Sequence, residues 1–224
     1  MKLSKNKNKK VIILLGVLIT TIGISLAYFV SSVLFSGSGS STTVRTATIQ
    51  GSTITVEGEL EFDDAMYPGH ETISKVKITA TGDNEYIPYN LVWTGTNTLG
   101  TTLNYTVYKT SSSVDVSMTC TPETTVQNGA QYLSETCVSN NIELLGSSIS
   151  SGTISTSVNE TTITLVNDEF ITASPTGQIA YYYVILEYPN LEVSQNSDLG
   201  GSLDGEISVE ESDIEPDVNI IAAY

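Results

Sequence analysis

The chain has 224 residues, with 9 basic and 25 acidic side chains and a formal net charge of −16. Lys2, Lys5, Lys7, Lys9 and Lys10 precede an uncharged apolar stretch, and only Arg45, Lys75, Lys77 and Lys109 follow it, against all 25 acids. So acidic a remainder repels phosphate backbones, which excludes nucleic-acid binding and leaves divalent cations as weakly bound partners.

Residues 11–35 read VIILLGVLITTIGISLAYFVSSVLF, an apolar run behind a lysine cluster. This is the charge and hydropathy order of an export segment whose basic end stays inside. Two readings stand. In one, residues 1–27 are a signal peptide. Ser25 and Ala27 supply the small residues before a cut between Ala27 and Tyr28. In the other, residues 11–35 are an uncleaved N-terminal hydrophobic helix, long enough to cross about 30 Å of hydrocarbon and act as an anchor. Residues 28–42 then form an N-terminal segment that ends in a Gly/Ser linker. The first reading frees an apolar stretch containing Tyr28, Phe29, Val30, Val33, Leu34 and Phe35.

From 43 to 210 the pattern alternates with period two, as side chains do along a strand. Ile54, Val56, Leu60 and Phe62 alternate with Thr55, Glu57, Glu59 and Glu61, which predicts one apolar face and one acidic face. Val76 and Ile78 alternate with Lys75 and Lys77. Leu103, Tyr105 and Val107 continue the series, as do Val114, Val116 and Met118. Residues 121–142 have mixed polarity and read as a long hairpin loop. Ile163 and Leu165 alternate with threonines. Ile179 to Tyr188 is apolar on both faces and reads as a central strand. Leu203, Ile207 and Val209 close the series. Turn signals fall at Tyr67-Pro68-Gly69, Gly82-Asp83-Asn84, Asn128-Gly129, Ser151-Gly152, Pro175-Thr176-Gly177 and Gly200-Gly201. The pattern predicts an all-β fold, an antiparallel two-sheet sandwich of jelly-roll-like kind, over 43–210. An acidic tail occupies 211–224.

Chemistry-bearing constellations are scarce. The two cysteines, Cys120 and Cys137, suggest one disulfide in an exported domain, with two free thiols as the other reading. His70, the sole histidine, follows a Pro-Gly turn and reads as a solvated turn residue. A catalytic triad would have to use it, and a two-histidine zinc helix is excluded. No glycine-rich phosphate loop occurs. Glu57, Glu59 and Glu61 lie about 6.5–7 Å apart along one strand face, too spread for one calcium ion, and read as a solvated acidic surface. No cofactor and no enzymatic activity are expected.

Three stretches resemble the TasA/camelysin-like proteins of Gram-positive bacteria, whose export signal is read by a SipW-type signal peptidase. The first is the signal itself, with Lys9-Lys10, the apolar run and Ala27-Tyr28-Phe29. The second is Met66-Tyr67-Pro68-Gly69, then Val76 to Asp83 (VKITATGD), then Tyr89-Asn90-Leu91. The third is Tyr183 to Tyr188 (YVILEY), then Gln195, Gly200-Gly201-Ser202-Leu203 and Ile207. The chain departs from the family's pattern before Ala27, where Ile24-Ser25-Leu26 stands, and after Phe29, where Val30-Ser31-Ser32 replaces an acidic residue. The resemblance implies a secreted or cell-surface structural protein of a Gram-positive-type bacterium. Such a protein self-associates into matrix fibres when the freed N-terminal segment of one copy adds to the sheet of the next. The alternative is a single-pass membrane-anchored binding or adhesion domain.

Overall fold

Alternating apolar residues along the chain become strands that bury one face each, and the structure, a computed structural model, shows how they pair. It describes residues 33–34, 44–60, 65–83, 86–127, 130–193, 195–198 and 200–214. The strands in chain order are β1 (Val33–Leu34), β2 (Val44–Ile49), β3 (Ser52–Glu57), β4 (Ala65–Met66), β5 (Glu71–Thr81), β6 (Tyr86–Asn97) and β7 (Leu103–Thr110). Then come β8 (Ser117–Gln127), β9 (Ala130–Asn140), β10 (Ser148–Ile154), β11 (Ser157–Thr172), β12 (Gln178–Glu187) and β13 (Leu203–Glu211).

A six-stranded sheet runs β10-β7-β12-β5-β3-β2, and a three-stranded sheet runs β11-β6-β13. Every pairing between these strands is antiparallel. One core joins the two sheets. Val56, Val76, Ile78, Tyr182, Val184 and Leu186 come from the larger sheet, and Ile87, Tyr89, Leu91, Trp93, Leu165 and Ile207 from the smaller. The expected all-β sandwich is therefore present. The expected N-terminal hydrophobic helix, and with it Ala27 and Tyr28, lies outside the described residues. Among those that are described, no helix is long and apolar enough to cross a membrane.

Polar contacts also link the two sheets. The hydroxyls of Tyr89 on β6 and Tyr182 on β12 meet at 2.5 Å, both residues fully buried. Burial raises the ionisation of both phenols well above the ordinary tyrosine range, so both are neutral and one donates to the other. Lys109 on β7 pairs with Glu169 on β11 at the margin of the same interface. Trp93 lies against the backbone of Gly95 and Gly205, and a Cβ at either glycine would strike the indole.

The sandwich margins are not open ladders. Arg45 on β2 reaches β13, donating to the Glu206 carboxylate and to the Ile207 carbonyl, each at 3.0 Å. The long strand β11 breaks register three times along β6, and Asp168 within it has a left-handed φ of 58°. Strand β10 breaks register once along β7. Bulges and side-chain caps of this kind discourage edge-to-edge pairing.

Several sequence expectations change in detail. Residues 121–142 are not a loop: 117–140 form a two-stranded ribbon in which β8 and β9 pair residue for residue from Ser117↔Asn140 to Gln127↔Ala130. Its mixed polarity follows from exposure of both ribbon faces near the tip. Val114 and Val116 precede β8 in an extended link. Glu57 and Glu59 do not share a strand face, because β3 ends at Glu57, which pairs with Lys77 at 2.9 Å. Gly58 turns the chain there with a φ of 124°, and Glu61 lies outside the described residues. Ser151-Gly152 is not a turn but the middle of β10, opposite Thr106 and Tyr105.

The Tyr89–Tyr182 pair gives a direct test. Tyr182→Phe leaves a buried hydroxyl without its partner and should cost about 1–3 kcal/mol, whereas the double variant with Tyr89→Phe should recover most of that loss. Denaturant titration of the two variants measures both.

Candidate functional site

The β8–β9 ribbon meets the sandwich at one place, and the contact begins with an edge that needs partners. Strand β3 pairs with β5 only from Lys77 to Thr81. The start of β5, at Glu71, extends past it. On the other side, β12 covers this end through Glu187↔Glu71. The backbone just before Glu71 turns through Pro68-Gly69, held by Gly69 N–H to Tyr188 O at 2.7 Å and Tyr188 N–H to His70 O at 2.8 Å.

The ribbon fills the remaining positions. Glu135 on β9 donates its N–H to Pro68 O at 2.8 Å. Its carboxylate accepts from the Tyr67 N–H at 3.3 Å and from His70 Nδ1 at 2.6 Å. Glu71 donates its N–H to Cys137 Sγ at 3.1 Å, and Cys120 Sγ lies 3.3 Å from the Glu71 carbonyl. Cys120 and Cys137 sit directly opposite each other in the ribbon and are joined as a disulfide. The ribbon's root is fastened separately. The Tyr183 hydroxyl donates to Val114 O at 2.8 Å and accepts from Val114 N–H at 2.6 Å, and Lys75 reaches Ser113 at 3.1 Å.

His70 is therefore not a solvated turn residue. It is 4% exposed and its partner Glu135 side chain 8%. The turn that was expected to present it to water is itself covered by the ribbon. Residues two apart on a strand share a face, so Glu135 must lie beside Cys137. That spacing was the available signal for the pair, but nothing local tied it to His70, 65 residues earlier.

Glu71 has the one perturbed carboxyl here. Burial raises its pKa first, the neighbouring Glu187 raises it further, and His70 opposes them. Around His70 the structure brings together the Glu135 carboxylate and the Cys120–Cys137 disulfide.

Of the N-terminal donor residues, Tyr28, Phe29, Val30 and Phe35 lie outside the described residues. Val33 and Leu34 are described as β1, antiparallel to β4 with Val33 opposite Met66 and Leu34 opposite Ala65. Strand β4, which pairs with β1, leads straight into the Pro68-Gly69 turn of the clamp.

Two predictions follow from the clamp's geometry. Gly69 has a φ of 94°, and a Cβ there would collide with the Glu135 carbonyl. Gly69→Ala should therefore cost about 1–3 kcal/mol, with faster hydrogen exchange at 117–140 than elsewhere. Glu71 is ionised in both folded and unfolded chains above its raised folded pKa, so the folded state bears the penalty there. Glu71→Gln should raise Tm at pH 7, and the gain should vanish below about pH 4, where the carboxyl is protonated in both states. Thermal unfolding across that range reads the sign.

No family model matches the chain, and no curated protein or solved structure matches it either.

Proposed function

We propose that this chain is an exported structural protein of the cell surface or extracellular matrix. It would act as a jelly-roll-like sandwich whose copies assemble when the N-terminal segment 28–35 of one adds as a strand to the next. The observation that carries this reading is the pairing of Val33–Leu34 with Ala65–Met66. Among the described residues β4 pairs with no other strand. In the assembly we propose, the same segment of a neighbouring copy takes this two-residue position. Strand addition supplies main-chain hydrogen bonds for affinity, and its alternating side chains supply specificity.

The margins of the two main sheets favour β4 as the acceptor. Bulges interrupt β10 and β11, and Arg45 occupies a carbonyl on β13. Met66, the β4 residue opposite Val33, is fully buried and belongs to the core, so the acceptor strand is anchored in the sandwich. The paired cysteines suit an oxidising compartment, and the acidic surface keeps unassembled copies apart.

A second reading, a membrane-anchored binding domain, is favoured by the unbroken apolar run 11–35. One experiment separates the two. Protein lacking residues 28–35 should fold as a monomer and form no fibres by electron microscopy, while the processed protein that starts at Tyr28 polymerises. Polymerisation of the truncated form at the same rate would sink strand donation and leave the anchored domain.

A further inference from the structure

We propose that the clamp is a redox-gated site for a thiophilic metal ion, Zn2+ in the first instance, held by His70, Cys120 and Cys137 once their disulfide is reduced. A ring nitrogen of His70 and both cysteine sulfurs lie within 4.8 Å of one another. Zn–S bonds of about 2.3 Å and Zn–N bonds of about 2.0–2.1 Å put tetrahedral ligand atoms closer together than that limit. Small side-chain rotations therefore suffice. The ribbon holds the sulfurs in place after reduction, because β8 and β9 stay paired along 11 residues each.

The surroundings suit a metal as well as a disulfide. Glu135 binds His70 Nδ1 at 2.6 Å, so coordination would use Nε2, with a carboxylate orienting the metal-bound imidazole. The Glu71 N–H at 3.1 Å from Cys137 Sγ stabilises a thiolate there. Cys120 Sγ faces the Glu71 carbonyl instead. His70 is buried, while Cys120 and Cys137 are partly exposed on the side from which reductant and ion would approach. Two thiolates and one imidazole are a soft donor set, distinct from the hard carboxylate oxygens that calcium takes.

The chemistry balances with a dithiol as reductant. The Sγ–Sγ bond takes up two electrons and two protons and becomes two thiols, and the dithiol closes to its own disulfide. Zn2+ then displaces both thiol protons to solvent and is held by two thiolates and a neutral imidazole, with one position left for water. The two states link different parts. The disulfide joins β8 to β9 within the ribbon, whereas the metal would join the ribbon to the turn before β5.

The test uses the protein purified from its host, reduced under anaerobic conditions with a water-soluble phosphine and titrated with Co2+ and then Zn2+. The reduced protein should take up one Co2+ per chain with a sulfur-to-cobalt charge-transfer band, and Zn2+ should displace it. The oxidised protein and Cys137→Ser should show no band. His70→Gln should weaken binding at least tenfold, and Glu135→Gln, which keeps all three ligands, by about 10–100-fold. Circular dichroism follows folding throughout, and Glu135→Gln decides the matter if His70→Gln unfolds. The proposal is overturned if reduction alone unfolds the protein, if the folded reduced protein gives no band, or if binding is unchanged in the folded variants.

Discussion

Strand β12 is buried on both faces, and this makes the six-stranded sheet dependent on cover from outside the sandwich. Tyr182, Val184 and Leu186 point into the core, while Tyr183 and Ile185 on the opposite face are also buried. In α/β proteins helices cover such a face. Here the chain uses its own extended link, 113–116, which Tyr183 grips through both backbone groups of Val114. The ribbon that follows is then carried to the edge of β5. At that edge, unmet backbone groups would carry the cost of buried polar atoms without partners. The cysteine sulfurs, Glu135 and the Pro68-Gly69 turn meet that demand together. The clamp is thus a consequence of how far β5 outruns β3.

The same geometry sets the order of strength along the molecule. The sandwich core and the Tyr89–Tyr182 contact tie the sheets to each other. The ribbon depends on its root at Val114 and on the clamp at Glu71. Val138 is exposed between these points and Val126 beyond the clamp, and β8 and β9 form a two-stranded sheet of their own. The disulfide across the ribbon holds its two strands in register. The exposed surface ion pairs, such as Arg45–Glu206, contribute little by comparison, since screened pairs of this type are worth about 0–1 kcal/mol.

Much of the sandwich was legible because its strands alternate cleanly. Val76 and Ile78, Leu103 to Val107, and Leu203 to Val209 all carry one apolar face, and Ile179 to Tyr188 announced a central strand by being apolar on both. The ribbon was hidden because a two-stranded ribbon with water on both sides has no apolar face to display. Residues such as Thr121, Glu123 and Thr136 therefore look like loop. The clamp was hidden for a different reason. His70 and Glu135 are far apart in the chain, and each looks solvated in its own neighbourhood. Only the docking of the ribbon on the turn buries them together. The carboxylates of 57–61 misled because period two continued in the sequence after Gly58 had ended the strand.

Strand donation, as proposed, would place the N-terminal strand of one copy beside β4 of another. It is tested most directly with two single variants, Leu34→Cys and Ala65→Cys, positions that face each other across the β1–β4 pair. Each is processed to start at Tyr28, and the two are mixed during assembly and then oxidised. Strand donation predicts covalent heterodimers between the two variants, absent when either is assembled alone. Fibres that form from the mixture without any such cross-link would contradict it.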